Sequence, residues 1–228
     1  MWRVSLLDDA HARALRPILS SDECARADRF HAAADATRWT VAHGWLRHIL
    51  SWYGGAPPGA ITFGSGELGK PYVPNSDIEF SLSHSGGLAL VAVARRGAVG
   101  VDVEQWDQRI DHLELAGQFF SPYECSSLAS LEGHDAIVAG FFAAWTRKEA
   151  YMKATGHGIV RGLSHFDVSL APREPVRLLD DRLDVGAVNR WTIAGLDVGA
   201  GYSGALAVTA PLRGIGLFDV PDVPVALR

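Results

Sequence analysis

Between Phe141 and Ile159 the chain reads FFAAWTRKEAYMKATGHGI, and at helical spacing Trp145, Glu149 and Lys153 fall at i, i+4 and i+8 on one narrow stripe. A carboxylate and an ammonium one turn apart beside packed aromatics can accept a proton and stabilise an anion. The same pair can also be an ordinary surface Glu–Lys pair, worth about 0.2–0.5 kcal/mol. Which reading holds depends on whether other segments bring partners to the stripe. Ala98 to Glu104, AVGVDVE, is the first such segment: its alternation puts Asp102 and Glu104 on one face of a strand and Val101 and Val103 on the other. Two carboxylates side by side repel. Either the strand end frays into water or the pair meets a cation, and oxygen ligands on a rigid strand suit Mg²⁺, which fills the rest of its shell with water and phosphate.

Cations that could meet an anionic substrate recur upstream. Arg26 and Arg29 lie three apart on a helix after Ser20-Ser21-Asp22, where a solvated face is the ordinary alternative. Arg38 sits one turn before Ala42 on the apolar side of the next helix, so its guanidinium either snorkels or meets an anion. Lys70 lies in GSGELGKPYVP, a segment that spells both GxGxxG and GxxxxGK. Neither phosphate-loop motif stands, because Pro71 replaces the required Ser/Thr and Pro71 and Pro74 forbid the helix whose N-terminus would hold phosphate. Lys70 remains as a loop cation. Ser83-His84-Ser85-Gly86-Gly87 reads as a hydroxyl-rich turn between two strands.

The elements that must position these residues are legible to different degrees. The spacing predicts helices over 23–30, 35–53, 123–131 and 135–155, the second carrying Ala42, Trp45, Leu46, Ile49, Leu50 and Tyr53 on one face. Ser121-Pro122 starts the third, Gly54-Gly55 and Gly156 stop the two long ones, and Gly158 frees the chain beyond. Strands are expected at 2–7, 60–63, 78–82, 88–94, 98–104, 166–170, 176–179, 190–196 and 205–209, with a peripheral Pro-punctuated tail. Strand, helices and a small antiparallel group recur in each half, an α+β order with a pseudo-two-fold and not the strict alternation of a Rossmann fold. A composition 48% hydrophobic and 21% charged over 228 residues supports a full core. The net charge of -5 argues against binding nucleic acid through an overall basic field, so any phosphate site must be local. Cys24 and Cys125 have neither disulfide-framework nor zinc spacing, and no segment reads as a signal peptide or a membrane span, so a cytoplasmic protein is expected.

Taken in order, GKP at 69–71, SHS at 83–85, GVDVE at 100–104 and WTRKEAYMKATGHG at 145–158 closely resemble the signatures of the 4′-phosphopantetheinyl transferases of the surfactin-synthetase-activating type. RADRFHAAADATRW near residue 26 and FFSPYE at 119–124 extend the likeness over nearly the whole chain. The resemblance implies a pseudodimer of two similar α/β halves, divided here as 1–107 and 108–228, with the active site in the cleft between them. It implies an Mg²⁺-dependent enzyme that moves the phosphopantetheine arm of coenzyme A onto a serine of an apo acyl or peptidyl carrier protein and releases 3′,5′-ADP. Such carriers serve fatty acid, polyketide or nonribosomal peptide synthesis, and the implied state is a monomer. Asp102, Glu104 and Glu149 match the metal carboxylates, and Lys153 matches the lysine on the coenzyme A diphosphate. Lys70, Ser83 and His84 match residues that hold the nucleotide and its 3′-phosphate. Arg26 matches one of two basic residues on the first helix, and Arg38 an arginine near the adenine end. Glu23 departs from the pattern, standing where the second basic residue is expected. Two rivals differ in class: a catalytically silent coenzyme A or carrier-binding module, and an Mg²⁺ phosphohydrolase using the same carboxylates with water as the nucleophile.

Overall fold

The computed structural model describes residues 1–156, 162–172, 174–209, 212 and 214–221, so Gly158 and the tail beyond 221 lie outside the described residues. Strand β1 (Trp2–Ser5) leads through α1 (Asp9–Leu15) to α2 (Ser21–Ala27) and the long α3 (Ala33–Gly54). A short 3-10 turn at Pro58–Ala60 precedes the small pair β2 (Gly64–Ser65) and β3 (Pro71–Tyr72), then β4 (Ile78–Ser85), β5 (Leu88–Arg95) and β6 (Val99–Gln105). Three helices follow, α4 (His112–Phe119), α5 (Pro122–Ala129) and α6 (His134–Thr155). The chain closes with β7 (Phe166–Val168), β8 (Leu178–Asp181), α7 (Ala187–Arg190), β9 (Trp191–Leu196), β10 (Tyr202–Thr209) and β11 (Phe218–Asp219).

The fold is α+β and nearly repeats itself. Each half centres on a 22-residue helix, α3 or α6, that ends on a left-handed glycine, Gly55 at φ 77° or Gly156 at φ 73°. Helix α3 packs Trp45, Ile49 and Leu46 against Phe80 and Val91 of a sheet ordered β11-β1-β5-β4. Helix α6 packs Phe141, Tyr151 and Ala154 against Ala205 and Ala207 of a sheet ordered β6-β10-β9. Between the sheets lies a third apolar cluster, in which Leu88 and Leu90 of β5 meet Val99, Val101 and Val103 of β6.

β4 and β6 run side by side and parallel, joined by hydroxyls. Ser81 Oγ accepts from the Val101 N–H at 3.1 Å, Ser83 Oγ from Val103 at 3.4 Å and Ser85 Oγ from Gln105 at 3.1 Å. Alternate residues of β4 point at β6, while Ile78, Phe80 and Leu82 between them pack into the α3 cluster. The expected turn at Ser83–Ser85 is therefore strand, and the reversal is confined to Gly86-Gly87, where Gly86 has φ 56°.

Other elements also differ from the expectations. No strand forms at 60–63; Ile61 instead offers its carbonyl to Arg47. Helix α4, begun by an Asp111 side chain that accepts from Leu113 and Glu114 N–H groups, is too short to carry a clear period. Where the tail begins, Asp219 joins Phe218 in an exposed two-residue edge strand that pairs in parallel with β1.

Gly100 sets the distance between α6 and β6. A Cβ there would lie 2.1 Å from the Ala150 carbonyl oxygen and 2.4 Å from the Ala154 nitrogen, both helix backbone that cannot turn aside. Gly100→Ala is expected to destabilise the fold by about 1–3 kcal/mol through overpacking. Chemical denaturation checks this, and an unchanged midpoint would mean that α6 does not rest on β6 as described.

Candidate active site

Strand β6 presents Gly100, Asp102 and Glu104 to α6, and the close approach at Gly100 brings the acids under the stripe that carries Glu149 and Lys153. Lys153 does not pair along its own helix. Its Nζ lies 2.6 Å from Asp102 Oδ1 and 2.9 Å from Ser83 Oγ. Ser83 donates its own proton to Asp102 Oδ1 at 2.7 Å, and Ser85 donates to Glu104 Oε2 at 2.7 Å. Each of these serines thus receives an N–H from β6 and gives its hydroxyl proton to an acid of the same strand. Asp102 is 2% exposed, and its Oδ2 is buried with no hydrogen-bond partner among the described residues.

Burial pushes the Asp102 carboxyl above its ordinary pKa, against Lys153 and Ser83, which pull it down. Glu104 is also pushed up, first by burial, with Asp102 and Glu149 adding and Ser85 and Lys153 opposing. Glu149 is raised by burial and then by the Asp102 charge. From sequence alone, Lys153 would be expected to lower Glu149; desolvation outweighs it. A single ammonium is set against three crowded carboxyls.

A cavity of about 540 Å³ adjoins this cluster, lined from α3 by Trp39, His43 and Leu46, from β4 by Phe80 and His84, and from α6 by Lys153. Lys70 also lines it, but its Nζ is held by the carbonyls of Val99 at 3.1 Å and Ala154 at 3.4 Å, with Glu79 at 3.5 Å. His84 is exposed, and burial of its ring face followed by the charges of Lys153 and Arg38 lowers its pKa. Arg38 pairs with Asp35 at 3.0 Å, and Arg26 lies over the Trp39 ring at 5.2 Å. Helix α2 ends at Ala27, short of the expected 30, so Arg29 is exposed in the turn that follows it and not on the helix with Arg26.

Glu23, the departure from the pattern, has structural work. It closes a capping box with Ser20 and takes the buried Arg47 at 2.8 Å, while Arg47 also donates to the Pro58 and Ile61 carbonyls. An acid at this position is what an arginine 2% exposed requires.

Sequence reasoning missed two further features. Lys148, beside Glu149 in sequence, is fully buried and lies 2.6 Å from Glu124, which also caps α5 and accepts from the Val168 N–H at 2.9 Å. That pair ties α6 to α5 and β7. Trp39 and His43, at i and i+4 on α3, stack at 3.5 Å; their spacing was visible, but nothing marked that face as a cavity wall.

Residues 98–207 match the model of the 4′-phosphopantetheinyl transferase superfamily. A relative named 4′-phosphopantetheinyl transferase HetI, from Nostoc sp., is 40% identical over 183 residues, covering 78% of this chain and 76% of its own. The 4′-phosphopantetheinyl transferase psf-1 of Bacillus pumilus is 38% identical, covering 72% and 71%, and Sfp of Bacillus subtilis is 30% identical, covering 67% and 66%. The chain belongs to the 4′-phosphopantetheinyl transferases. It is a transferase, and the activity that defines the family moves the phosphopantetheine arm of coenzyme A to a carrier protein. The matched span contains the acidic strand and the Trp145–Lys153 helix, the two segments that the fold presses together. Among the described residues no helix is long and apolar enough to cross a membrane.

Because the folded pKa of Glu149 lies above the ordinary 4.5, its ionisation works against the fold. The stability this group contributes is fully present below about pH 4.5 and is lost as the pH rises through the elevated value. Glu149→Gln keeps the shape and removes the charge, so its unfolding temperature at pH 7.5 is expected to exceed wild type, with the gap closing near pH 4. Thermal melts across pH check this; a variant less stable than wild type at pH 7.5 contradicts the desolvation argument.

Proposed function

We propose that this protein transfers the phosphopantetheine arm of coenzyme A onto the serine hydroxyl of an apo carrier protein at the cluster Asp102, Glu104, Glu149 and Lys153, with Mg²⁺ as cofactor. The observation that carries the reading is the state of Asp102: one oxygen shared by Lys153 and Ser83, the other buried and unpartnered, beside two more carboxyls raised by burial. A carboxylate oxygen left without a partner at a site with excess negative charge fits a hard divalent cation. Among the described residues, no group of three His, Cys, Asp or Glu side chains forms a ready-made metal cage.

Asp102 Oδ2, Glu104 and Glu149 are the proposed holders of Mg²⁺. When bound, the ion supplies charge neutralisation and orientation of the coenzyme A diphosphate. The remaining steps belong to the chain. Glu149 accepts the proton of the carrier serine, a hydroxyl unreactive at its own pKa, and its raised basicity favours that transfer. The serine oxygen bonds to the phosphorus attached to pantetheine, and the bond from that phosphorus to the 3′,5′-ADP oxygen breaks. Lys153, 2.6 Å from Asp102 and 2.9 Å from Ser83, would stabilise the departing oxyanion or protonate it. Ser83 positions both groups through its two hydrogen bonds. Arg26, Arg38, Lys70, Ser83 and His84 are the proposed nucleotide and 3′-phosphate side, Lys70 exchanging carbonyl partners for an anion.

The pseudo-halves 1–107 and 108–228 belong to the same proposal. Support comes from the matched helices α3 and α6; β6 and β11 each join the other half's sheet, so the halves exchange edges. A cytoplasmic monomer is likewise proposed, consistent with two cysteines present as free thiols.

Intact-mass analysis of apo carrier proteins incubated with coenzyme A and Mg²⁺ tests the function, the expected result being a phosphopantetheine-sized gain on the carrier. In the same assay Glu149→Gln at saturating Mg²⁺ should keep coenzyme A binding and lose about a hundred- to ten-thousand-fold in turnover. Full recovery at high Mg²⁺ would make Glu149 a metal ligand only.

A further inference from the structure

We propose that His43 reads the base of the nucleotide, accepting a hydrogen bond from an exocyclic amino group, so that the enzyme selects adenine over a 6-oxo purine. The inference rests on the proposed function and puts the nucleotide of coenzyme A in the cavity between α3, β4 and the end of α6, which Lys70 and His84 also line. On the α3 wall, formed by Trp39, His43 and Leu46, none of the residues matched by the resemblance is present.

Geometry fixes the tautomer. His43 Nδ1 lies 3.1 Å from the Trp39 carbonyl oxygen, one turn back on α3, and a carbonyl can only accept. Nδ1 therefore carries the proton, leaving Nε2, on the far side of the ring, as a lone-pair acceptor. Nε2 makes no hydrogen bond among the described residues, and the half-buried ring lines the cavity. Stacking on Trp39 at 3.5 Å and an interplanar angle of 26° holds the ring in one orientation. Desolvation lowers the pKa of His43 to about 4, so the acceptor persists throughout the neutral range.

The surroundings favour a flat base that offers an N–H. Leu46, Phe63, Phe80 and Met152 give the cavity apolar walls, with Lys70, His84 and Lys153 as its cationic or polar edge. Glu23 spends Oε2 on Arg47 and the Ser20 N–H, and Ser81 Oγ accepts from Val101, so His43 Nε2 is the neutral ring acceptor that the α3 wall offers. An adenine amino group meets the Nε2 lone pair favourably. A 6-oxo group in its place sets two acceptors against each other, the kind of mismatch that discriminates more strongly than a missing methyl.

The test compares steady-state transfer from coenzyme A and from its deaminated hypoxanthine analogue. Wild type is expected to show a KM at least about tenfold lower for coenzyme A, with similar kcat. His43→Phe, which keeps a ring on Trp39, should bring that ratio close to one mainly by raising the KM for coenzyme A. His43→Gln, which returns a carbonyl acceptor, should restore part of it. Equal KM values for the two nucleotides in wild type overturn the proposal without any variant, as does an unchanged ratio in His43→Phe. A further variant separates the two layers. Leu68→Asp puts a negative charge on the exposed rim and should raise both KM values. If it leaves both unchanged, the nucleotide is not in this cavity and the role of His43 fails while transfer stands; if wild type transfers nothing from coenzyme A, the proposed function fails; and if both KM values rise while wild type does not discriminate, only the role of His43 fails.

Discussion

Where β4 meets β6, serine hydroxyls replace the backbone ladder, and the placement of the active groups depends on that substitution. A carbonyl would accept the β6 N–H groups and end the chain of bonds there. A hydroxyl accepts and still has a proton to give. Ser83 and Ser85 give theirs to Asp102 and Glu104, so the bonds that join the sheets also orient the acids. Gly100 completes the arrangement from the other side, letting the α6 backbone descend until Lys153 reaches Asp102. The three carboxyls and the ammonium are thereby carried on regular elements, where their geometry is set by strand register and helix packing rather than by loops.

The site is electrostatically unfinished without its substrate. Three carboxyls sit above their ordinary pKa because water is excluded around them, and Lys153 offsets only part of the charge. Such a cluster costs stability in the free protein and has more to gain from a cation and a diphosphate than a solvated cluster would. The contrast with Lys148 is instructive. It too is a buried lysine of α6, but it meets Glu124, the Phe166 carbonyl and two aromatic faces, leaving nothing for a ligand. Adjacent residues of one helix thus differ because they face different sides: Lys148 fixes α6, and Glu149 faces the acids of β6.

Much of this was readable before any coordinates. The long helices announced themselves by period and terminal glycines, and the alternation of Val101 and Val103 with Asp102 and Glu104 gave the face that each occupies. What escaped was pairing between segments distant in sequence. Glu23 looked like a defect because its partner Arg47 lies a helix away. Lys153 looked like a partner of Glu149 because i,i+4 spacing cannot register a strand underneath. Ser83 to Ser85 resembled a turn because hydroxyl-rich sequence favours turns, until a neighbouring strand offers N–H groups for those hydroxyls to bind.

The central claim is that the acids of β6 and Glu149 hold one divalent cation against the diphosphate of coenzyme A. A crystal of the enzyme with coenzyme A and Mn²⁺ in place of Mg²⁺ addresses it directly through the anomalous difference map. The account predicts a single peak about 2.0–2.3 Å from Asp102 Oδ2, Glu104, Glu149 and a diphosphate oxygen, with Lys153 moved from Asp102 to the phosphate. A peak bound only by the diphosphate, with Lys153 still on Asp102 Oδ1, would contradict it.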